Sequence, residues 1–406
     1  MDRRDFIKSI PRQTAAWVVA AAGKTGARAA SGAAKPWIDA ALARDWQARW
    51  ERNILENSHK NRYCDTELGE ELGWLVSPFL EGFYYGYRLT RDPKWVELLI
   101  DWTDACIKRA VKEPDGYLGW PKTSDQTAGF DADSMLGEAM MLRPVVLMAH
   151  EILQAPVLNT KWSSKARRCL HLAAEVFEKW DSRDAWRKSR TGGLWVMQYF
   201  GIDSATGRWT EGYARRNIEG FSHPDNKENE IARWLIAMYD VTGKAVYRDR
   251  AQAWWQLMKS RMKTRDDGRY FVWNYWEPAG PWDFKPHGSP KHWVGVHPNG
   301  GYYDIDVESI VAAFEHRLEF TRADVGRLIA TNRDFMWNHQ VKAPRFQRID
   351  GGPPDPRWAN SSGVLWTALV PYDETLRRIF VANHDPGSWS GLGSTPWFLS
   401  LAARHG

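Results

Sequence analysis

Apolar residues recur at helical spacing along most of this chain. One stripe consists of Ile231, Trp234, Leu235 and Met238, whose spacing of three, four and seven positions from the first residue places them on one helix face. A short turn containing a glycine follows, and a second apolar stripe continues to residue 262. The pattern predicts a helical hairpin over residues 231–262.

The same pattern returns along the chain. Residues 80–111 are similar to residues 231–262, with the turn LTRDPKW in the place of VTGKAVY. Further helices are predicted over residues 37–56, 134–153, 161–180, 306–320, 322–338 and 362–382. Because strand-like stretches are scarce, the chain is predicted to be all-α, with five or six hairpins in a single domain. Such hairpins either close into a toroid or remain an open solenoid.

Long polar connections separate one predicted hairpin from the next, whereas the turns inside hairpins are short. The long connections are rich in glycine, proline and aromatic residues and cover residues 57–74, 115–134, 191–230, 266–306 and 345–363. In an alternating arrangement of helices, all of them emerge on one face. Function is common on loops that a rigid scaffold holds in place, so we expect a cleft on this face.

The amino-terminal segment differs from the rest. RRDFIK resembles the twin-arginine export signature, a short apolar stretch follows, and ARA at residues 27–29 fits a cleavage site. The apolar stretch is too short to span a membrane. We predict a twin-arginine (Tat) signal peptide over residues 1–29, recognised by the Tat export machinery, and a catalytic domain over residues 30–406 that is periplasmic or secreted and has no membrane span. The alternative is a basic amphipathic helix.

Composition and charge exclude some functions. The chain has 406 residues, of which 43% are hydrophobic and 26% charged, so it is globular. Its formal net charge of +5 comes mostly from residues 1–29, which contain six Lys/Arg and two Asp, and the remainder carries about +1. Since no basic stripe follows the predicted signal, nucleic-acid binding is not expected.

Tryptophan is unusually frequent, with 25 residues. Either a large helical core contains many aromatic wedges, or some rings line a groove and stack on sugars. Cys64, Cys106 and Cys169 are too widely spaced for a disulfide framework or a metal cluster, which leaves one bridge or three buried thiols open. No metal or cofactor is expected.

The segment FSHPDNKENE, which ends at Glu230, places many polar groups at a helix entrance. A capping box formed by Asp225 and Glu228 is the structural explanation for two of them. It does not explain His223 or Asn226. Because Asn226 and Glu230 are four positions apart on one helix face, we expect them to present a polar cluster to the cleft together with His223.

The segment HPNGGYYDIDVES, which starts at His297, leads into another predicted helix. Its two glycines allow a sharp turn close to a ligand, and Asp304 or Asp306 is expected to cap the helix. Tyr302 and Tyr303 are expected on extended backbone, where adjacent side chains point in opposite directions. One of these tyrosines should therefore face the cleft with His297.

Other side chains of the long connections are candidates for binding substrate. Paired arginines can hold carboxylates in a bidentate manner, although solvated surface arginines explain the same residues. Tryptophans with nearby cations, in WPK, WNYWE, PKHW and PRW, suit stacking on sugars. The candidates are Tyr213, Arg215, Arg216, Trp120, Lys122, Trp195, Trp273, Trp276 and Asn299.

These residue types fit β-elimination on a polyuronate. That reaction needs the sugar carboxylate to be neutralised, the C5 proton to be removed and the leaving oxygen to be protonated. Asn, His, Arg or a protonated Glu can neutralise the carboxylate by hydrogen bonding. A tyrosine whose pKa is lowered by nearby positive charge, or a histidine, can transfer the protons.

The hairpin turns, the helix entrance HPDNKENE and the loop HPNGGYYD resemble the α/α-toroid polysaccharide lyases of the alginate- and glucuronan-lyase-like group. The resemblance covers most of residues 37–400 and implies an incomplete (α/α) barrel that acts on an acidic polysaccharide by β-elimination. An Asn/His pair and a tyrosine are the group's usual site, which His223 with Asn226 and Tyr302 or Tyr303 match by type. The adjacent Asn-Asn-His form of some alginate lyases is absent.

Two other functions remain open from the sequence. An inverting glycoside hydrolase on the same toroid needs two facing carboxylates, for which Asp131 or Asp133 could pair with Glu230 or Asp304. A non-catalytic glycan-binding protein would show stacked tryptophans without a converging polar cluster. Neither the sugar nor its linkage can be deduced.

Overall fold

The structure is a computed structural model of the chain. It describes residues 36–123, 131–198, 202–203, 208–209, 220–358 and 361–405. The predicted signal peptide and three of the predicted binding residues, Tyr213, Arg215 and Arg216, lie outside these described residues.

Twelve α-helices account for most of the described residues. They are α1 (Ala40–Lys60), α2 (Tyr63–Thr66), α3 (Ser77–Thr90), α4 (Lys94–Arg109), α5 (Met135–Gln154), α6 (Pro156–Ser182), α7 (Asp225–Thr242), α8 (Ala245–Arg261), α9 (Gly301–Glu315), α10 (Arg322–Ala330), α11 (Glu374–Asn383) and α12 (Gly391–His405). π-Helical turns cover Leu72–Val76 and Thr331–Met336, and 3₁₀ turns cover Pro281–Asp283 and Thr367–Tyr372.

Short antiparallel strands occupy the long connections. They are β1 (Val111–Lys112), β2 (Leu118–Gly119), β3 (Lys122–Thr123), β4 (Asp131–Ala132), β5 (Trp186–Lys188), β6 (Gly193–Trp195), β7 (Ile202–Asp203), β8 (Arg208–Trp209), β9 (Lys263–Arg265) and β10 (Tyr270–Val272). Three two-stranded ribbons pair β1 with β2, β5 with β6 and β9 with β10, and one small sheet has the order β3-β4-β7-β8.

The helices form two concentric layers. α3, α5, α7 and α9 each contact the next and make up most of an inner ring, which the 3₁₀ turn Thr367–Tyr372 and α12 complete. The outer helices α4, α6, α8 and α10 each pack on the inner helix that precedes them, and α12 closes the ring by packing on α1 and α3. The fold is therefore an all-α (α/α) toroid of about six hairpin units, as predicted.

The carboxyl-terminal part differs from the prediction. A single helix over residues 362–382 is wrong, because this stretch holds a 3₁₀ turn followed by α11, and α12 was not predicted. Gly391, Gly393 and Pro396 lower the helix propensity of α12. Tertiary contacts compensate: the indole of Trp50 donates a hydrogen bond to the carbonyl of Leu392 over 2.8 Å.

Most of the tryptophan excess belongs to the core. Of the tryptophans that the structure describes, twelve have less than 2% of their surface exposed. The three cysteines are free and buried, so no bridge forms among them. Among the described residues, no helix is both long enough and apolar enough to cross a membrane.

Candidate active site

The inner helices all begin at the same end of the ring, because the outer helix of each hairpin brings the chain back to the end at which its inner helix began. The polar segments singled out in the sequence lie at this end, which we call the mouth. It is defined here by Glu70, His223, Lys227, Tyr275 and Tyr302. Helix N-termini carry partial positive charge, so their convergence favours an anionic ligand.

The side chains of His223 and Asn226 are buried at the start of α7. Both ring nitrogens of His223 and both amide atoms of Asn226 are closed to solvent and have no hydrogen-bond partner among the described residues. Burial, and then the neighbouring Lys227 charge, lower the pKa of His223 to about 3, so its imidazole is neutral. Each unpaired buried polar group costs about 1–3 kcal/mol, and such groups are rare in cores. These four atoms are candidates for binding a ligand.

The predicted capping box at the start of α7 is wrong. Pro224 occupies the cap position, and no side chain caps the helix. Asp225 instead accepts a hydrogen bond from Arg261 over 2.9 Å, and Glu228 accepts one from the backbone N–H of Trp195 over 2.8 Å. Both carboxyl groups therefore anchor α7 to neighbouring elements.

An ion pair lies beside His223. The ammonium group of Lys227 is 2.8 Å from a carboxylate oxygen of Glu70. The indole N–H of Trp74, on the π-helical turn after Glu70, donates to the same carboxylate over 3.0 Å. π-Helical turns are frequent at functional sites because they displace a side chain from the regular helical register.

The two tyrosines of HPNGGYYD have different roles in the structure. α9 begins at Gly301, so both lie in its first turn rather than on extended backbone, and neither Asp304 nor Asp306 is a cap. Tyr303 is buried, packs edge-on against Trp273, and accepts a hydrogen bond from the backbone N–H of His297 over 2.8 Å. Tyr303 is thus part of the core, and Tyr302 is the tyrosine that stays partly exposed.

Tyr302 lies in an aromatic cluster at the mouth. Its ring stacks on Tyr275 with centroids 5.2 Å apart, and His297 packs against it at 4.8 Å. Burial, followed by the charge of Glu70, raises the pKa of Tyr302, and a hydrogen bond with Asn299 opposes this rise. The pKa of Tyr302 is thus raised and not lowered as expected from the sequence, first because the ring is partly buried and second because Glu70 is negatively charged.

The two polar segments meet through shared neighbours. The carbonyl of Tyr275 accepts a hydrogen bond from the N–H of Asp225 over 3.0 Å, while the Tyr275 ring stacks on Tyr302. Glu70 lies beside Tyr302 and holds Lys227. Tyr302 and the start of α7 therefore line one mouth.

Comparisons with known proteins give only remote similarities. No protein-family model matches the sequence, and no curated protein matches it either. A cellobiose 2-epimerase from Spirochaeta thermophila DSM 6192 is 13% identical, with a TM-score of 0.49 over 88% of this chain and 84% of that one. A D-mannose isomerase is 12% identical, with a TM-score of 0.48 over 89% and 86%.

A third similar structure is an α-1,6-mannanase variant of Salegentibacter sp. HEL1_6 in complex with α-1,6-mannotriose. It is 9% identical, with a TM-score of 0.46 over 90% of this chain and 98% of that one. The helix contacts within this chain show the toroid.

Four predicted stacking residues are core residues. Trp120, Trp195, Trp273 and Trp276 have at most 2% of their surface exposed, so none can present a ring face to a sugar. Three of the indoles are held by hydrogen bonds to groups of the chain, for example from Trp273 to Asp306 over 2.8 Å. The prediction of stacking platforms is wrong at these positions because burial of large aromatic rings outweighed their loop context.

Lys122 and Asn299 are also placed by the structure. Lys122 lies on the strand β3 and forms ion pairs with Glu67 and Glu71 at 3.1 and 3.2 Å. The side chain of Asn299 accepts a hydrogen bond from Gly301 over 2.9 Å and also bonds Tyr302, so it belongs to the mouth.

Exposed tryptophans flank the mouth in two stretches that the sequence analysis noted. Trp358, in PRW, is 46% exposed and packs on His297 with centroids 4.6 Å apart. Trp293, in PKHW, is 50% exposed and lies 6.1 Å from His297. Their ring faces are accessible to a ligand that lies across His297.

The carboxylates proposed for a hydrolase have structural partners. Glu230 accepts a hydrogen bond from Arg233 over 2.9 Å, and Asp304 accepts one from the backbone N–H of Thr367 over 2.8 Å. Asp133 is buried against Lys179 at 2.7 Å. Asp131 has contacts within the chain as well.

Three mouth residues were missed in the sequence. Lys227 is part of FSHPDNKENE, but a lysine in a helix is more often solvated than buried. Glu70 and Tyr275 belong to long connections far away in sequence, and only the folded ring brings them to Tyr302. The available signal for Glu70 was its position in the long polar connection over residues 57–74.

Proposed function

We propose that this protein is an enzyme that acts on sugars, specifically a lyase that cleaves a uronic-acid-containing polysaccharide by β-elimination. The observation that supports this best is the set of four unpaired polar atoms on His223 and Asn226, next to the ammonium group of Lys227. A uronate carries a carboxylate that these groups can bind, whereas a neutral sugar does not.

Neutralising the carboxylate makes the C5 proton acidic. Asn226 can donate from its amide and His223 from its neutral imidazole, while Lys227 supplies positive charge. Because the unpaired atoms are closed to solvent, substrate binding has to displace the side chains that cover them. Loss of the Glu70 contact by Lys227 is one such movement.

Tyr302 is proposed to transfer the protons. As a phenolate it takes the C5 proton, the released electron pair forms the C4–C5 double bond, and the C4–O bond breaks. The phenol then returns its proton to the leaving oxygen, so the site is restored. The raised pKa of Tyr302 predicts that the base form, and therefore the rate, increases towards alkaline pH.

Other groups have supporting parts in this proposal. His297 packs on Tyr302 and orients its ring, and Glu230 keeps Arg233 in place beneath the mouth. Trp293 and Trp358 would stack on sugars of a bound chain. With the predicted Tat signal, the reaction would take place in the periplasm or outside the cell.

The test is an assay of the purified protein on glucuronan, alginate, pectate and glycosaminoglycans, with neutral glycans as controls. We expect one polyuronate to give the ultraviolet absorbance of an unsaturated product. Tyr302→Phe should reduce that rate by about 100-fold or more, since general acid–base groups contribute about 10²–10⁴-fold.

Tyr303→Phe is the matched control. It removes one buried hydrogen bond, so it should lower the free energy of unfolding by about 1 kcal/mol and leave most of the activity. New reducing ends without ultraviolet absorbance would show hydrolysis and contradict the proposal, as would full activity of Tyr302→Phe.

A further inference from the structure

A second cavity lies next to the mouth. Its volume is about 350 Å³, within the range of roughly 300–1,000 Å³ typical of small-ligand sites. The residues that matter for its chemistry are Trp337, Arg345, Phe346 and Arg348. The π-helical turn Thr331–Met336 ends at this cavity, whereas the turn Leu72–Val76 begins just after Glu70.

The cavity borders the loop that leads to Tyr302. Arg348 donates a hydrogen bond to the carbonyl of Val296 over 3.3 Å, directly before His297. The carbonyl of Ser362, which lines the cavity, accepts a hydrogen bond from the N–H of Gly300 over 3.0 Å. The cavity and the mouth therefore border the same loop, residues 296–300, on which His297 packs against Tyr302.

Two unpaired donors belong to residues that line this space, and both donor atoms are closed to solvent. Trp337 has 8% of its surface exposed, and its indole N–H is buried without a partner. Nε of Arg348 is also buried and unpaired. Since both groups can only donate, they suit a ligand rich in acceptor oxygens.

The charge of the cavity is positive. Among the described residues that line it, two are arginines and none is an aspartate or glutamate. Arg348 is compensated by Asp350 at 2.7 Å, whereas the guanidinium of exposed Arg345 forms no hydrogen bond or ion pair with any described residue. Arg345 therefore supplies the uncompensated charge.

We propose that this cavity is a subsite for a second uronate of the same polysaccharide chain. Arg345 binds the sugar carboxylate in a bidentate manner, and Trp337 and Arg348 donate to ring or hydroxyl oxygens once the side chains that cover their nitrogens are displaced. Phe346 and Trp337 supply an apolar wall against the sugar ring. The identity of the ligand rests on the proposed function, but the anion site itself does not depend on catalysis.

The experiment measures binding of a single sugar to the purified protein by saturation-transfer NMR titration. The probes are D-glucuronate, D-glucose and D-glucose 6-sulfate. We expect D-glucuronate to bind in the millimolar range, more tightly than either other probe. Because the proposed mouth can also bind a sugar carboxylate, the variants are compared in an Asn226→Ala background. There Arg345→Gln should weaken D-glucuronate binding at least fivefold, while Arg44→Gln, which changes an exposed arginine on the outer helix α1, should not change it.

Tyr302→Phe separates this inference from the proposed function. Binding that is lost in Arg345→Gln but kept in Tyr302→Phe supports the subsite, even if no polyuronate yields an unsaturated product. Equal binding by Arg345→Gln and the parent protein overturns it. So does absence of D-glucuronate binding, loss of binding only in Tyr302→Phe, or preference for glucose or its sulfate.

Discussion

At the scale of single residues, the charge of Glu70 adds to the effect of burial on the protonation of the proposed catalytic tyrosine. Burial and then Glu70 raise the pKa of Tyr302. If Tyr302 is the base, kcat/KM rises with pH through this pKa. Glu70→Gln removes a negative charge and releases the positive charge of Lys227, and both changes lower the pKa. The rising limb of the pH profile should move about one pH unit towards neutral pH.

Glu71 provides a matched control for this prediction. It is adjacent to Glu70 in sequence, but it pairs with Lys122 at 3.2 Å and is 40% exposed. Glu71→Gln should leave the pH profile of kcat/KM in place. If the rising limb of the pH profile stays in place in Glu70→Gln, the protonation of Tyr302 does not control the rate.

At the scale of elements, the close approach of α5 to the segment before the π-helical turn positions Glu70. A Cβ atom on Gly137 would lie 2.0 Å from the carbonyl oxygen of Gly69 and 3.0 Å from the Cα of Glu70. Gly137→Ala must therefore push these elements apart, at a cost of about 1–3 kcal/mol in the free energy of unfolding. It should also reduce kcat/KM, because Glu70 moves with its backbone.

Gly326→Ala is the control, since no atom lies within 4 Å of a Cβ added at this helical position of α10. It should raise the free energy of unfolding by about 0.5–1 kcal/mol and leave kcat/KM unchanged. Denaturant unfolding and steady-state kinetics on the same samples test both variants. Equal stability and activity of Gly137→Ala and the parent would contradict the steric argument.

Elements also show what the sequence could predict. The hairpins were predictable because stripes such as the one beginning at Ile231 bury one helix face, and this burial depends on local periodicity. The start of α9 could not be predicted, because it depends on the close approach of Gly300 to Ser362. A Cβ atom at Gly300 would lie 2.2 Å from the carbonyl oxygen of Ser362. That contact, distant in sequence, decides that Tyr303 enters the core and Tyr302 faces the mouth.

The candidate site likewise combines a local part that the sequence predicts with a part that depends on contacts distant in sequence. A polar helix entrance with His223 and Asn226 was visible in the sequence, and the structure leaves both side chains unpaired. The contribution of Glu70 arises from closure of the ring, which no local pattern contains. The buried tryptophans were assigned to stacking because sequence alone does not distinguish a loop packed on the core from one that lines a groove.

At the scale of the whole molecule, a buried charge network links the ribbon of β1 and β2 to α5 and α6. Lys179 lies 2.7 Å from Asp133 and 2.5 Å from Glu138, and Arg183 lies 2.6 Å from Glu113. Three buried carboxyl groups thus share two cations, and Arg183 also pairs with the partly exposed Asp115 at 2.8 Å. Burial, and then the charge of Asp133, raise the pKa of Glu113 to about 9.

This network predicts that the protein loses stability in alkaline solution. A carboxyl group whose pKa is raised from 4.5 to about 9 keeps a proton that the unfolded chain has lost, so its contribution disappears as pH rises through that interval. His223 acts oppositely, because its lowered pKa contributes stability above about 6.5 that is lost as pH falls towards 3. Between pH 7 and 9 the histidine contribution is therefore constant, and the free energy of unfolding should fall by about 1–3 kcal/mol.

The Glu113→Gln variant tests this account, because the amide stays neutral at every pH and resembles the protonated carboxyl group in shape. Its Tm should fall less between pH 7 and 9 than that of the parent protein, measured by calorimetry at constant ionic strength. Glu97→Gln, which removes an exposed carboxylate paired with Lys161, should reproduce the parent's fall. If the Tm of Glu113→Gln falls between pH 7 and 9 as much as that of Glu97→Gln, Glu113 does not carry the proton that the folded protein retains. The alkaline instability then arises from another group.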